Sequence, residues 1–400
     1  MLYDQSLFPT SRLLSGTTDG FAILRAGGYV RSVGQGLIAL SSLGTAFLQR
    51  FATQLRDQFE RFGFSEIALP LLQRSELWEE SGRYAKYGPV LAETTLGEDA
   101  RRFVINPTQE EAVLDLFRTL GTNHQQLPFR CFQIGERVRN EPRPAHGLIR
   151  SRSFSLADAY VLSENEASNR EEMRRMETFV LQQLIRWLDI PARQARIYGT
   201  EGSSFWGPSS TKQCSVSVCQ SCGESFRSKV RLTACPVCSS NTIDEVEGVE
   251  MSDVTTSGSI LTTALGVFGP DQSPRHLAVM GIGLSRILQL LVEHHHDDRG
   301  IVWPVQLAPF RYHLVTTEIG YDLASATYDH LQCSGSRALF DARRCSIGRA
   351  LIDADLVGLP YRLLFGGKAH PGKIEVSVRK TGDRFAVEPV ELDSALQSLP

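Results

Sequence analysis

Apolar residues recur at helical spacing between Thr45 and Phe62, where Phe47, Leu48, Phe51, Leu55, Phe59 and Phe62 share one face. That periodicity predicts an amphipathic helix. Gly63 stops it, and the run Ile67, Leu69, Pro70, Leu71 and Leu72 predicts a strand that ends at proline. Phe132, Ile134 and Val138 alternate through 129–139, and Phe154 to Val161 has the composition of an antiparallel partner, with 139–152 as the loop between them. A second strong helix is predicted over Leu284–Glu293, where Ile287, Leu288, Leu290, Leu291 and Val292 follow Gly281 and Gly283.

The pattern changes after Trp303-Pro304 and Pro309, which punctuate the chain as a boundary. Strand-like HLVTT, a helical stretch from Asp322 to Leu331, strand-like RALFDA, a helix near Ala350, then strand-like YRLLF and KIEVSVR follow in order. Alternating strands and helices predict a small α/β domain. The expected organisation is a domain over 1–307 and a second over 308–400. No internal repeat or low-complexity tract interrupts it.

Composition adds little to this picture and charge adds more. With 400 residues, 42 % hydrophobic and 22 % charged, the chain is expected to be a soluble two- or three-domain enzyme. No apolar run approaches the roughly 20 residues needed to span a bilayer, and no membrane association is expected. The first ten residues lack a basic stretch followed by an apolar one, so a secretory signal is not expected and the cytoplasm is. The net charge of −3 hides two basic stretches. Between Leu127 and Ser155, Arg130, Arg137, Arg139, Arg143, Arg150 and Arg152 face only Glu136 and Glu141. Between Arg337 and Arg384, ten Lys and Arg face five Asp and Glu. Patches of this kind can hold phosphates on a mildly acidic protein, or form solvated surface.

Four of the eight cysteines form two CxxC turns, Cys219/Cys222 and Cys235/Cys238, separated by twelve residues. Each turn can point both thiolates at one centre, and two turns complete a tetrahedral zinc site of structural type. A small zinc ribbon over about 212–242 is therefore expected. A redox pair or disulfides are the alternatives, and a cytosolic setting disfavours the latter. Cys131, Cys333 and Cys345 read as packed small side chains, and Cys214 as a bystander or substitute ligand.

Arg139-Asn140-Glu141 closes one predicted strand and Phe154 lies on its partner; Arg286 follows Gly281-Ile282-Gly283 at a helix start. A guanidinium can clamp a phosphate, a carboxylate can accept from an adenine amino group and a ring can stack on the base. Either motif alone is weak; their order is informative. Gly63 to Arg83 resembles motif 1 of the class II aminoacyl-tRNA synthetases, with Pro70 as its proline. Asn106 to Leu116 resembles the TxE loop, Phe132 to Tyr160 motif 2, and Gly281 to Pro304 motif 3. Phe340 to Lys368 and Gly372 to Gly382 resemble the anticodon-binding domain. Together they resemble the bacterial prolyl-tRNA synthetases over roughly Ile23 to Arg384.

That resemblance implies an α+β catalytic domain built on the class II antiparallel sheet with flanking helices, a four-cysteine ribbon in place of the editing insertion, and a C-terminal α/β anticodon-binding domain. It implies ATP and Mg²⁺ use, a proline-type tRNA, a homodimer through motif 1, and editing supplied by a free-standing factor or not at all. Carried over by position, Arg139 would hold the α-phosphate and the amino-acid carboxylate. Glu141 and Phe154 would hold adenine, Arg150 or Arg152 the outer phosphates, and Arg286 the γ-phosphate. Thr108 and Glu110 would hold the imino group, with Gln109, Val279 and Gly281 beside it. Asp341, Arg343 and Arg349 would meet anticodon bases, or form a surface ion pair.

The chain departs from the family at several amino-acid-facing positions. Gln109 stands where the family has His, Ala278-Val279-Met280 where it has Gly-Cys-Tyr, and Ser252-Asp253 where it has Gly-His. The Ser-His-Glu-Phe segment has no counterpart in SSFWGPSSTKQCSVS. Proline is the expected substrate. A paralogue activating another amino acid or a proline analogue, for a tRNA or a carrier, and a non-catalytic tRNA-binding regulator are the rival readings.

Overall fold

The computed structural model describes residues 1–3, 8–120, 126–343 and 345–399. Residues 4–7 of the N-terminal segment and Arg344 of the C-terminal motif lie outside them. The chain forms two compact units, one of Met1–Val33, Ile38–Phe51 and Leu291–Pro400, the other of Gly34–Leu37 and Ala52–Leu290.

The second unit is built on one nine-stranded sheet. Its strands are β1 (Ser65–Glu66), β2 (Phe129–Val138), β3 (Ser153–Ser163), β4 (Arg193–Ile197), β5 (Gly202–Pro208), β6 (Cys214–Cys219), β7 (Ser225–Arg227), β8 (Ile243–Gly258) and β9 (His276–Gly283). They lie in the order β5-β4-β7-β6-β8-β9-β3-β2-β1, with β5 also pairing β8. All pairings are antiparallel except β4 with β7 and β1 with β2. The middle of β3 carries Ala157, Ala159, Tyr160, Val161 and Leu162, all buried, because a central strand is covered on both faces. Its first residues, by contrast, open onto a cavity.

Phe59, from the C-terminal half of the helix α1 (Ser42–Arg61), stacks on Phe132 at 4.6 Å and on Phe179 at 4.9 Å. Phe179 closes the helix α2 (Glu166–Phe179), which lies against β3, β8 and β9. The strand expected over Ile67 to Leu72 is split. Only Ser65–Glu66 pairs with β2, and Leu72–Arg74 joins a separate three-stranded sheet with Ala92–Leu96 and Arg101–Ile105. Pro70 cannot donate to a ladder, so the segment crosses from one sheet to the other there.

The other unit carries a five-stranded sheet of β10 (Tyr312–Thr316), β11 (Ala338–Asp341), β12 (Tyr361–Phe365), β13 (Ile374–Val378) and β14 (Arg384–Val387), in the order β11-β10-β12-β13-β14. The first three are parallel and the last two antiparallel. The helices Tyr321–Cys333 and Ile347–Val357 supply the crossovers, as parallel strands require. Gly358 ends the second helix at φ 75°, a cap a residue with Cβ adopts only under strain, and a Cβ there would clash with the Ile301 carbonyl. The edge strand β11 is covered by the chain start: Leu2 bridges Phe340 and the Met1 amino group donates to the Ala338 carbonyl at 3.1 Å.

Candidate active site

A pocket of about 310 Å³ opens on the face of the large sheet where β3, β8 and β9 lie side by side. Phe154, Leu156 and Asp158 reach it from β3, Met251, Asp253 and Thr255 from β8, and Val279, Gly281 and Gly283 from β9. These are alternate residues, which a pleated strand puts on one face. Thr108 and Glu110 enter at the start of the helix Glu110–Leu120, and Arg286 from the first turn of Leu284–His294.

Most of the residues picked out in the sequence converge here. The Arg139 guanidinium lies over the Phe154 ring at 5.0 Å from its centroid, its Nε donating to the Pro107 carbonyl at 3.2 Å. Glu141 pairs with Arg150 at 2.8 Å and accepts from the Arg143 N–H at 3.1 Å. Burial acts to raise the Glu141 carboxyl, but these two partners hold it below its ordinary range. Arg286 donates to the carbonyls of Ile149 at 3.1 Å and Glu250 at 3.3 Å. Thr108 donates to Glu110, whose other oxygen faces Arg83 at 3.5 Å. Burial opposes ionisation of Glu110, yet Arg83 and Thr108 together keep it below its usual value.

Two residues take other places. Arg152 is absent from the pocket wall; it donates to the Glu141 carbonyl at 3.3 Å and the Gln35 carbonyl at 3.1 Å, bracing the loop from behind. Gln109 is fully buried beneath the wall, where it accepts from Gln73 at 2.8 Å and donates to the Pro70 carbonyl at 3.3 Å. Gln73 also donates to the Thr108 carbonyl at 2.7 Å and accepts from Trp78 at 2.7 Å. Gln109 therefore supports the loop that presents Thr108.

Other pocket residues are given no role by the sequence. Asp158 is buried in a pair with Arg137 at 2.7 Å, and burial outweighs that arginine to push its carboxyl up. Glu250 accepts from Arg227 at 2.9 Å and from Ser204 at 2.7 Å, with Arg286 at 3.7 Å. Gln213 and Arg227 come from the segment that also carries the four cysteines. Finding them needs the sheet order, because β6 and β7 join the main sheet instead of standing apart as a separate module.

The four cysteine sulfurs lie within 4.8 Å of one another, with Cys219–Cys238 at 3.5 Å and Cys222–Cys235 at 3.7 Å. Two matching turns shape them: Gly223 N–H donates to the Cys219 carbonyl and Ser239 N–H to the Cys235 carbonyl, both at 2.9 Å. Phe226, Leu232 and Ile243 pack beside Cys219 and Cys235.

In the other unit, Asp341, Arg343 and Arg349 are brought together around Asp353. Arg343 pairs with Asp341 at 2.7 Å and Asp353 at 2.8 Å, and Arg349 with Asp353 at 3.0 Å. Thr10 donates to the same buried Asp353 at 2.6 Å. Arg343 is thus held by two carboxylates, whereas the Arg349 side chain is half exposed.

Residues 94–258 match the tRNA synthetase class II core domain (G, H, P, S and T), and residues 305–399 match an anticodon binding domain. A proline--tRNA ligase of Methylobacterium sp. (strain 4-46) is 30 % identical over 419 residues, covering 94 % of this chain and 93 % of the relative. The chain belongs to the prolyl-tRNA synthetase family. It is an aminoacyl-tRNA ligase with the class II core. The proline--tRNA ligase of Maricaulis maris (strain MCS10) is 27 % identical over 94 % of this chain and 93 % of its own length. The fold is shared with solved structures at 16 % identity. A Giardia lamblia prolyl-tRNA synthetase in complex with prolyl-adenylate aligns with TM-score 0.75 over 95 % of this chain and 77 % of that one. A Cryptosporidium parvum prolyl-tRNA synthetase complexed with halofuginone and AMPPNP aligns with TM-score 0.73 over 98 % and 78 %. Among the described residues no helix is long and apolar enough to cross a membrane.

Proposed function

We propose that this synthetase activates proline with ATP as an acyl adenylate and transfers the acyl group to the 3′ end of a proline-type tRNA. The convergence of Arg139, Glu141, Phe154, Arg286, Thr108 and Glu110 on one pocket carries this reading. Adenine stacks on Phe154 and gives its amino protons to Glu141, while Arg150 and Arg286 take the outer phosphates. The imino group lies against Thr108 and Glu110, and Val279 and Gly281 shape the floor beside it. Arg139, between the two ends, holds the carboxylate and the α-phosphate in line. A carboxylate oxygen attacks the α-phosphorus, the bond to the β-phosphate oxygen breaks and pyrophosphate leaves. The terminal tRNA hydroxyl then attacks the acyl carbon and AMP leaves. No side-chain nucleophile is required; positioning and charge stabilisation supply the rate. Mg²⁺ arrives with ATP and spreads the phosphate charge.

The catalytic domain is taken as 1–307 and the anticodon-binding domain as 308–400, with Asp341, Arg343 and Arg349 on the tRNA side through the exposed face of Arg349. Structural zinc at Cys219, Cys222, Cys235 and Cys238 is part of the same proposal. Four sulfurs at about 2.3 Å from a tetrahedral centre stand about 3.8 Å apart, close to the sulfur spacings here. A homodimer, a cytoplasmic location and editing by a separate factor complete it. ATP–pyrophosphate exchange with each of the twenty amino acids tests the reading. Exchange with proline supports it, and silence with all of them, from folded protein, would sink it and leave an unusual substrate, a tRNA-dependent activation or a tRNA-binding regulator.

A further inference from the structure

Five carboxylates line the pocket: Glu110, Glu141, Asp158, Glu250 and Asp253. Four of them have an arginine, namely Arg83 at 3.5 Å, Arg150 at 2.8 Å, Arg137 at 2.7 Å and Arg227 at 2.9 Å. Among the described residues the Asp253 carboxylate has no hydrogen bond and no cation within ion-pair distance. Burial, with Glu250 next to it, pushes this carboxyl up to about 7. The carboxylate is half-buried on the pocket wall, where a ligand that brings a donor pairs with it and one that brings only an apolar group leaves it desolvated without a partner.

Its place in the sheet says which part of the substrate it meets. Asp158, Gly281 and Asp253 are register partners across β3, β9 and β8, so their Cα–Cβ directions share one face. A Cβ on Gly281 would stand 2.8 Å from Asp253 Oδ1 and 3.8 Å from Asp158 Oδ1. The missing side chain therefore leaves a slot walled by two carboxylates. Gln133, paired with Asp158 in the same row, is buried and its Oε1 also lacks a donor. Along β3, Asp158 stands four positions from Phe154, about 13 Å at strand rise. The slot is thus at the far end from the adenine ring and on the side of Glu110, which acts electrostatically on Asp158. It faces the acyl substrate's side chain.

Resting on the reading of this pocket as an imino-acid site, we propose that Asp253 is a specificity-determining residue, and that the slot over Gly281 takes an imino acid bearing a hydrogen-bond donor on its ring, a hydroxyl or an amine, in preference to unsubstituted proline. A plain ring methylene leaves Asp253 unpartnered; a ring O–H or N–H satisfies it. Sites built to bond a substrate donor discriminate strongly against the analogue that lacks it.

The test is ATP–pyrophosphate exchange with proline, 3- and 4-hydroxyproline and 4-aminoproline, one at a time, comparing kcat/KM. The wild-type protein is expected to prefer at least one donor-bearing ring by about ten-fold or more. Asp253→Leu should bring that ratio to about one or below, and Asp253→Asn should retain preference for the hydroxyl while losing it for the amine. Should the leucine variant fail to fold, Gly281→Ala provides the second reading, because its Cβ occupies the slot and should depress the substituted rings more than proline. A wild-type preference for proline over every donor-bearing ring would overturn the proposal and leave the prolyl function intact. So would a ratio indifferent to both Asp253 variants. Silence with every imino acid, proline included, would overturn both.

Discussion

Arg286 and Arg152 are both arginines of signature motifs, and what already holds each guanidinium separates their roles. Arg286 is anchored by two carbonyls at 3.1 and 3.3 Å on the pocket wall. Burial lowers its basicity while Glu250 acts to restore it. A cation fixed before the substrate arrives spends no reorganisation when charge develops on phosphate. Arg152 spends its donors on the Glu141 and Gln35 carbonyls outside the pocket. Arg286→Ala is expected to lower kcat/KM for exchange by roughly 10²–10³ with a small change in Tm. Arg152→Ala should cost about 1 kcal/mol of stability and less than ten-fold in exchange. Equal kinetic losses would show that Arg152 reaches the phosphates. The motif spacing makes Arg139, Glu141 and Phe154 legible because they sit at the adjoining ends of two paired strands. Gln109 is not legible in that way. It is flanked by Thr108 and Glu110, and its buried contacts with Gln73 and the Pro70 carbonyl turn its amide away from the pocket.

At the scale of the element, the cysteine pattern predicts a small ribbon inserted at about 212–242, and the strands of that segment, β6 and β7, lie inside the main sheet. Periodicity cannot disclose this, since strand pairing between distant segments is decided by packing rather than by local propensity. The consequence is a direct line from the cysteines to the pocket. Arg227 ends β7, pairs with Glu250 at 2.9 Å, and Glu250 faces Arg286 at 3.7 Å. The cysteine core is small, with Phe226, Leu232 and Ile243 as its main apolar partners, so bound metal should provide much of its order. Metal analysis is expected to give one zinc per chain. Chelation or Cys235→Ser should lower Tm and raise KM for ATP more than KM for the amino acid. Unchanged melting of metal-free protein would remove zinc as the structural element.

For the whole molecule, the segment from Gly63 to Arg83 poses a problem that one chain leaves unsolved. β1 is two residues long against the ten of β2, and no other strand among the described residues extends that edge of the sheet. Leu71, just beyond Pro70, is about half exposed. Short-capped sheet edges with apolar neighbours are places where a second chain docks, and this is the stretch that resembles motif 1. The same stretch reaches the pocket. The Pro70 carbonyl holds Gln109, Gln109 holds Gln73, and Gln73 holds the Thr108 carbonyl. Light scattering should therefore give twice the 44.4 kDa chain mass. Leu71→Asp, which puts a charge where the partner's apolar surface would lie, should shift the protein toward monomer and raise KM for the amino acid, with KM for ATP much less affected. A wild-type monomer at working concentration would defeat the assembly. A monomeric Leu71→Asp with an unaltered KM for the amino acid would instead show that the Pro70–Gln109–Gln73 relay holds its geometry without the partner.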